Sequence, residues 1–148
     1  MNKLKRILLV EDTKADIELT MAALEEHNLA NVVDLALDGE EALDYLDKKG
    51  KFTDRPDCNP IVILLDLKMP KVDGMDVLKK IRSDKRFKLI PVVILTSSRE
   101  EKDVIESYRL GINAYVVKPV DFDKFVEAIK EIGLFWAVIN EPPPEIID

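Results

Sequence analysis

Five polar side chains in this chain could do chemistry together, and each follows a short apolar run. Glu11 and Asp12 follow Ile7-Leu8-Leu9-Val10, Asp66 follows Ile61-Val62-Ile63-Leu64-Leu65, Thr96 follows Val92-Val93-Ile94-Leu95, and Lys118 follows Ala114-Tyr115-Val116-Val117. Unalternating runs of this length read as strands buried on both faces. If the strands are parallel, all five residues lie along the carboxyl edge of one sheet, where ligands collect. Three carboxylates gathered there repel one another unless a cation joins them. Oxygen-only donors on an exposed edge suit a hard ion, and Mg2+ is the natural choice. A cation held by carboxylates, beside an ammonium and a hydroxyl, is equipped for phosphoryl transfer. The cation and Lys118 would neutralise the equatorial oxygens, Thr96 would donate a hydrogen bond, and Asp66 would be the nucleophile. A carboxylate is already ionised at neutral pH, so no activating His is required.

The elements that must position these residues alternate strictly. After the strand at Ile7–Val10, Ile17, Met21 and Leu24 mark one face of a helix from about Lys14 to His27. A second strand spans Val32–Leu37. Asp38 then caps a helix carrying Ala42, Leu43 and Leu46, with Glu41 placed for a capping box. The polar stretch from Asp47 to Pro60 reads as a surface connection to the strand at Ile61–Leu65. Gly74 opens a third helix, with Val77, Leu78 and Ile81 inward. Pro91 introduces the fourth strand. Ser97 or Ser98, with Glu100 or Glu101 three residues on, is placed to cap a fourth helix whose apolar face is Val104, Ile105 and Tyr108, and Gly111 ends it. The acids Glu100, Glu101 and Asp103 read as a solvated first turn that suits the helix dipole. Ala114–Val117 is the fifth strand. The last helix starts at Asp121 and buries Phe125, Val126, Ile129 and Ile132. Five β-α units predict an α/β fold, one doubly wound parallel sheet with helices on both faces. In the strand order 2-1-3-4-5 the first and third strands are neighbours, and the acids meet at the switch-point crevice.

Composition narrows the function classes. The 148 residues hold 22 Lys and Arg against 29 Asp and Glu, a net charge of −7. With no basic stripe to offset it, that balance argues against direct nucleic-acid binding. The single Cys, Cys58, permits no internal disulfide and fits a reducing cytoplasm. Apolar runs are too short for a signal peptide or a membrane span. His27, the only His, stands near a helix end rather than in the cluster.

Four stretches together resemble the receiver domain of bacterial two-component signalling, a flavodoxin-like fold. They are Ile7–Asp12, Leu64–Pro70 with Asp73-Gly74, Val93–Thr96 and Gly111–Pro119. The resemblance implies that Asp66 is the phosphoacceptor. It implies that Glu11, Asp12, Asp66 and the backbone carbonyl of Lys68 hold Mg2+, and that Thr96 and Lys118 contact the phosphoryl group. Tyr115 matches an aromatic switch that turns inward when Thr96 moves, and the Lys118–Pro119 bond is usually cis in such domains. The donor would be a sensor histidine kinase or a histidine phosphotransfer protein. Lys68 and Ser98 fall at the two variable positions that tune phosphate loss, and Ser97 replaces a more usual Ala. Within the family the chain looks most like small single-domain regulators paired with bacterial phytochromes. The long loop before the third strand, Ser107-Tyr108 and Phe135-Trp136 carry that narrower likeness.

The expected organisation is a receiver over residues 1–132 and a C-terminal extension over 133–148, with no output domain. Such a protein accepts phosphate rather than turning over a substrate, and signals through the face made by the fourth helix, fifth strand and fifth helix. A small-molecule phosphatase or phosphotransferase working through an aspartyl phosphate, of the haloacid dehalogenase type, is the competing enzyme reading, but that type places an Asp where Lys68 stands. A phosphate-independent binding module is a third reading, and the intact set of five residues counts against it. In the tail, Leu134, Phe135, Trp136, Val138 and Ile139 precede Pro142-Pro143-Pro144. Either they cover the core beside the first helix or they extend the signalling face into a homodimer contact.

Overall fold

The computed structural model describes residues 6–144 apart from 27, 30, 31, 57, 70, 71 and 119–121. The strands are β1 (Ile7–Val10), β2 (Val33–Ala36), β3 (Val62–Leu65), β4 (Val92–Thr96) and β5 (Ala114–Val117). Between and after them run α1 (Lys14–Glu25), α2 (Gly39–Asp47), α3 (Gly74–Ser83), α4 (Glu101–Arg109) and α5 (Phe122–Leu134). All four strand pairings are parallel and the order is β2-β1-β3-β4-β5, the flavodoxin-like topology expected.

The unalternating runs are buried as their composition requires. Every residue of β1, β3 and β4 is inaccessible to solvent, because helices cover both faces of the three central strands. One face packs Leu8, Val10, Ile63, Leu65 and Ile94 against α2 and α3 through Ala42, Tyr45, Val77, Leu78 and Ile81. The other carries Ile7, Leu9, Leu64 and Val93, with Met21 and Ile132 from α1 and α5 packed on it. Each such aliphatic side chain contributes about 1.5–3 kcal/mol on burial, so the sheet edge that carries the polar residues rests on a stiff base.

Local readings differ from the structure in instructive ways. Asp38 does cap α2, accepting from Glu41 N–H at 2.8 Å, but the Glu41 carboxylate accepts from Leu37 N–H instead of closing the box on Asp38. Tyr45, absent from the expected apolar face, is fully buried, because its hydroxyl reaches Asp34 on β2 at 2.6 Å. The 47–60 connection is no loose loop. Gly50–Phe52 forms a 3-10 turn, and the Arg55 guanidinium donates to the carbonyls of Tyr45, Leu46, Pro56 and Cys58.

The start of α4 differs from the expectation. Its N-cap residue is Glu100, with no side-chain cap bond, and neither Ser97 nor Ser98 caps it. The phase is also shifted: Ser107 is the buried residue, while Ile105 and Tyr108 are exposed. Val104 and Leu110, three positions to either side of Ser107, are half-buried, and Tyr108 falls one position off that line. In α5, Ile129 is buried as expected and Val126 and Ile132 are half-buried. The helix passes residue 132 and continues to Leu134, where a π-turn over Phe135–Ile139 follows. Trp136 packs against the α1/α5 side of the core, whereas Phe135 and Ile139 are exposed. The expected helix limits at His27 and Asp121, the Lys118–Pro119 bond and the Phe125 side chain lie outside the described residues.

Candidate functional site

Strand register brings the polar residues to one edge. Val10 pairs with Leu65, so Glu11 and Asp66 leave the sheet side by side, and Asp66 N–H donates to Val10 O at 3.1 Å. Thr96 pairs with Val117, and Lys118 N–H donates to Thr96 O at 2.7 Å. The carboxylate oxygens of Glu11, Asp12 and Asp66 lie within 4.8 Å of one another. Glu11 is 1% exposed, Asp66 6% and Thr96 0%, while Asp12 opens to solvent. The group is therefore a buried floor with one exposed acid at its lip.

Lys118 crosses this floor. Its ammonium donates to Glu11 Oε2 at 2.6 Å and to Asp16 Oδ2 at 2.7 Å, and it stands 3.5 Å from Asp66 Oδ2. Burial alone would lower the ammonium's pKa, but the bonds to Asp16 and Glu11 more than reverse that and hold it above its usual value. Glu11 moves the other way from an ordinary carboxylate. Burial pushes its carboxyl up, the Lys118 bond opposes this, Asp66 adds to it, and the result is about 7. Three acids, Glu11, Asp16 and Asp66, share one ammonium here, Asp12 stands beside Glu11 and Asp66, and Glu11 and Asp66 are nearly withdrawn from water. That surplus of buried negative charge on oxygen donors fits a hard divalent cation.

A second layer links the edge to α4. Asp66 Oδ1 accepts from Lys68 N–H at 3.3 Å, and Lys68 Nζ stands 3.3 Å from Asp103 Oδ2 on α4. The same carboxylate oxygen accepts from the Ser98 hydroxyl at 2.6 Å. Ser98 N–H donates to Thr96 Oγ1 at 3.3 Å, and the half-buried Tyr115 donates its hydroxyl to Ser98 O at 3.0 Å. Asp103 is held below the ordinary carboxylate range chiefly by the Ser98 hydroxyl; burial opposes this, and the Lys68 ammonium adds to the lowering. It is thus a partnered residue of the site's rim rather than part of a solvated first turn. Asp16 and Asp103 are the two residues that sequence reasoning missed. Both sit in the first turn of a helix that follows a site-bearing strand, a position that could have flagged them.

The α3 start is bound to the same edge. Asp73 caps the helix by accepting from Asp76 N–H at 3.0 Å, and Gly74 N–H donates to Leu67 O at 3.0 Å. A Cβ on Gly74 would overlap the Asp66 carbonyl, so only Gly lets α3 approach the loop that carries Asp66.

Comparison with known proteins agrees with this geometry. The Response regulator Rcp1 of Synechocystis is 39% identical over 135 residues, covering 91% of this chain and 90% of its own length. The Mn(2+)-bound form of Rcp1 matches with a TM-score of 0.87 at 38% identity, covering 95% of this chain and 99% of that one. The phosphorylated cyanobacterial phytochrome response regulator RcpA gives a TM-score of 0.87 at 39% identity, covering 96% and 100%. The bacteriophytochrome response regulator RtBRR is 60% identical with a TM-score of 0.76, covering 96% of this chain and 86% of its own. With residues 7–130 matching the response regulator receiver domain as a family, and the fold and acidic cluster in agreement, this chain belongs to the response regulator receiver family.

Proposed function

We propose that Asp66 accepts a phosphoryl group from the phosphohistidine of a sensor histidine kinase or a histidine phosphotransfer protein. One observation carries the reading: the Lys118 ammonium lies within reach of Asp66 while bonded to its neighbour Glu11. An Asp66 carboxylate oxygen attacks phosphorus, the bond to the donor nitrogen breaks, and the leaving imidazole takes the electron pair. Lys118 then stands beside the phosphoryl oxygens, and the Thr96 hydroxyl donates to them. Glu11, Asp12 and Asp66, with the Lys68 backbone carbonyl, are the groups that would hold Mg2+. Such an ion neutralises charge that builds up on the transferring oxygens.

The burial of Glu11 and Asp66 keeps competing water from most of the site. Two relatives support the reading by name, one phosphorylated and one Mn(2+)-bound. Relatives described as phytochrome and bacteriophytochrome response regulators favour a phytochrome-type kinase as the partner. Output would pass through α4, β5 and α5 to another protein. The test is incubation with Mg2+ and acetyl phosphate, followed by a phosphate-affinity gel. Wild type shifts and Asp66→Asn does not. Equal labelling of the variant at the same site overturns Asp66 as the acceptor.

A further inference from the structure

The ammonium of Lys118 has three N–H donors, and three carboxylates surround it. Two of them, Glu11 and Asp66, belong to the group of acids close enough to share a cation. The third, Asp16, lies outside that group, yet its bond to Lys118 at 2.7 Å matches the 2.6 Å bond from Glu11. Lys118 is therefore a monovalent cation already seated on acids that a divalent ion needs. With its side chain only 11% exposed, the ammonium cannot be left without a partner when Glu11 turns to a metal.

We infer that Asp16 is a positioning residue: it anchors Lys118 while Glu11 and Asp66 are given over to a divalent cation, so that ammonium and metal occupy the crevice together. The inference rests on the proposed reading of Glu11, Asp12 and Asp66 as cation ligands. Asp16 suits the task by its place in the fold. It stands in the first turn of α1, where the helix end favours a negative charge, and the bond from Ile17 N–H to Thr13 O at 3.0 Å fixes that turn. Its side chain is 28% exposed, against 2% for that of Glu11, so it reaches the ammonium from the solvent side of the crevice. Without Asp16, Lys118 can lean only on Glu11 and Asp66, and a divalent ion must displace it from both.

The experiment is a Mn2+ titration of the whole chain followed by the electron paramagnetic resonance of free Mn2+, which needs no phosphorylation. Asp16→Asn is expected to weaken Mn2+ binding about fivefold, within the range of coupling between contacting charges. The same substitution in a Lys118→Ala background is expected to change the affinity by less than about twofold, because the residue acts through Lys118. Asp16→Glu, which keeps the charge, restores binding. Labelling by acetyl phosphate in Asp16→Asn falls at limiting Mg2+ and recovers at saturating Mg2+. Wild-type affinity in Asp16→Asn overturns the inference alone. So does a loss of the same size in the Lys118→Ala background, which would make Asp16 merely a source of field. A wild type that binds no Mn2+ overturns the cation reading as well.

Discussion

Gly74→Ala tests whether packing at the start of α3 sets the position of Asp66. The new Cβ would overlap the Asp66 carbonyl oxygen and the Leu67 Cα, both backbone atoms that cannot swing aside as a side-chain end can. Either α3 backs away from the sheet or the loop from Asp66 to Lys68 shifts. Forced overpacking of this kind costs about 1–3 kcal/mol, and the upper half applies where the clash is with backbone. The usual gain of Ala over Gly in a helix, about 0.5–1 kcal/mol, offsets part of it, leaving a net loss of about 1–2.5 kcal/mol. Urea unfolding should show a lowered midpoint with an unchanged slope. Labelling by acetyl phosphate should fall about tenfold or more, since a shift of about 1 Å at a reacting group is enough for that. Gly111→Ala supplies the contrast. That residue has φ +74°, and a new Cβ there meets only an ordinary contact, Arg82 Nε at 3.5 Å. Its cost is the left-handed conformation alone, about 1–2 kcal/mol, and labelling should stay intact. A Gly74→Ala protein with wild-type stability and labelling refutes the argument.

Asp34 should govern part of the acid stability. Burial pushes its carboxyl up, but bonds from Arg6 at 2.7 Å and from Tyr45 at 2.6 Å outweigh this and hold it low. A lowered folded-state pKa stabilises the fold above the unfolded value of about 3.9 and loses that effect as pH falls through the folded value. The stability gap between wild type and Asp34→Asn should thus be full at pH 6 and close below about pH 4; a gap unchanged at low pH would contradict the shift. Trp136→Ala should cost about 2–3 kcal/mol in thermal or urea unfolding, because the ring packs on the core, while Phe135→Ala should cost under about 1. If the exposed Phe135 and Ile139 join a second copy, sedimentation of Phe135→Ala will show a lost dimer with stability retained, and a monomeric wild type with and without phosphate excludes that contact. Thr96→Ala should still accept phosphate while amide exchange over 108–117 stops responding to it; an unaltered response would break the proposed coupling.

Strands and their polar ends were legible because a parallel sheet imposes two rules at once. Central strands must be apolar on both faces, and whatever follows them must lie on one edge. Glu11, Asp12, Asp66, Thr96 and Lys118 obey both, so register alone brings them together. The misreadings share another cause. Asp16 meets Lys118 across 102 positions of sequence, so its place in the first turn of α1 puts it near the edge but cannot name its partner. The phase of α4 was lost because three apolar residues, Val104, Ile105 and Tyr108, are grouped closely enough to suggest a face, whereas packing chose the small Ser107. Ser98 was mistaken for a cap because Ser before Glu is an ordinary cap signal, and only the fold shows its hydroxyl turned to Asp103.

That misreading of α4 bears on how the site would signal. A helix seated through a wide apolar stripe resists movement, since every displaced side chain exposes area at about 25 cal/mol per Å2. α4 has no such stripe: its one fully buried side chain is Ser107, its larger apolar residues Ile105 and Tyr108 face outward, and its first turn lacks a side-chain cap. What ties its start to the site is polar: Asp103 to Ser98 and Lys68, and Ser98 in turn to Thr96 and Tyr115. Polar ties answer to charge. A phosphoryl group turns the singly charged Asp66 carboxylate into a group carrying about two negative charges and brings new acceptors, for which the Lys68 ammonium and the Thr96 hydroxyl are the donors in line to be recruited. Drawing either one away loosens Asp103 or Ser98, and Tyr115 loses the carbonyl position that holds its hydroxyl. Under this reading α4 moves because its grip is electrostatic, and the outward-facing Ile105 and Tyr108 are the side chains whose placement a partner would sense.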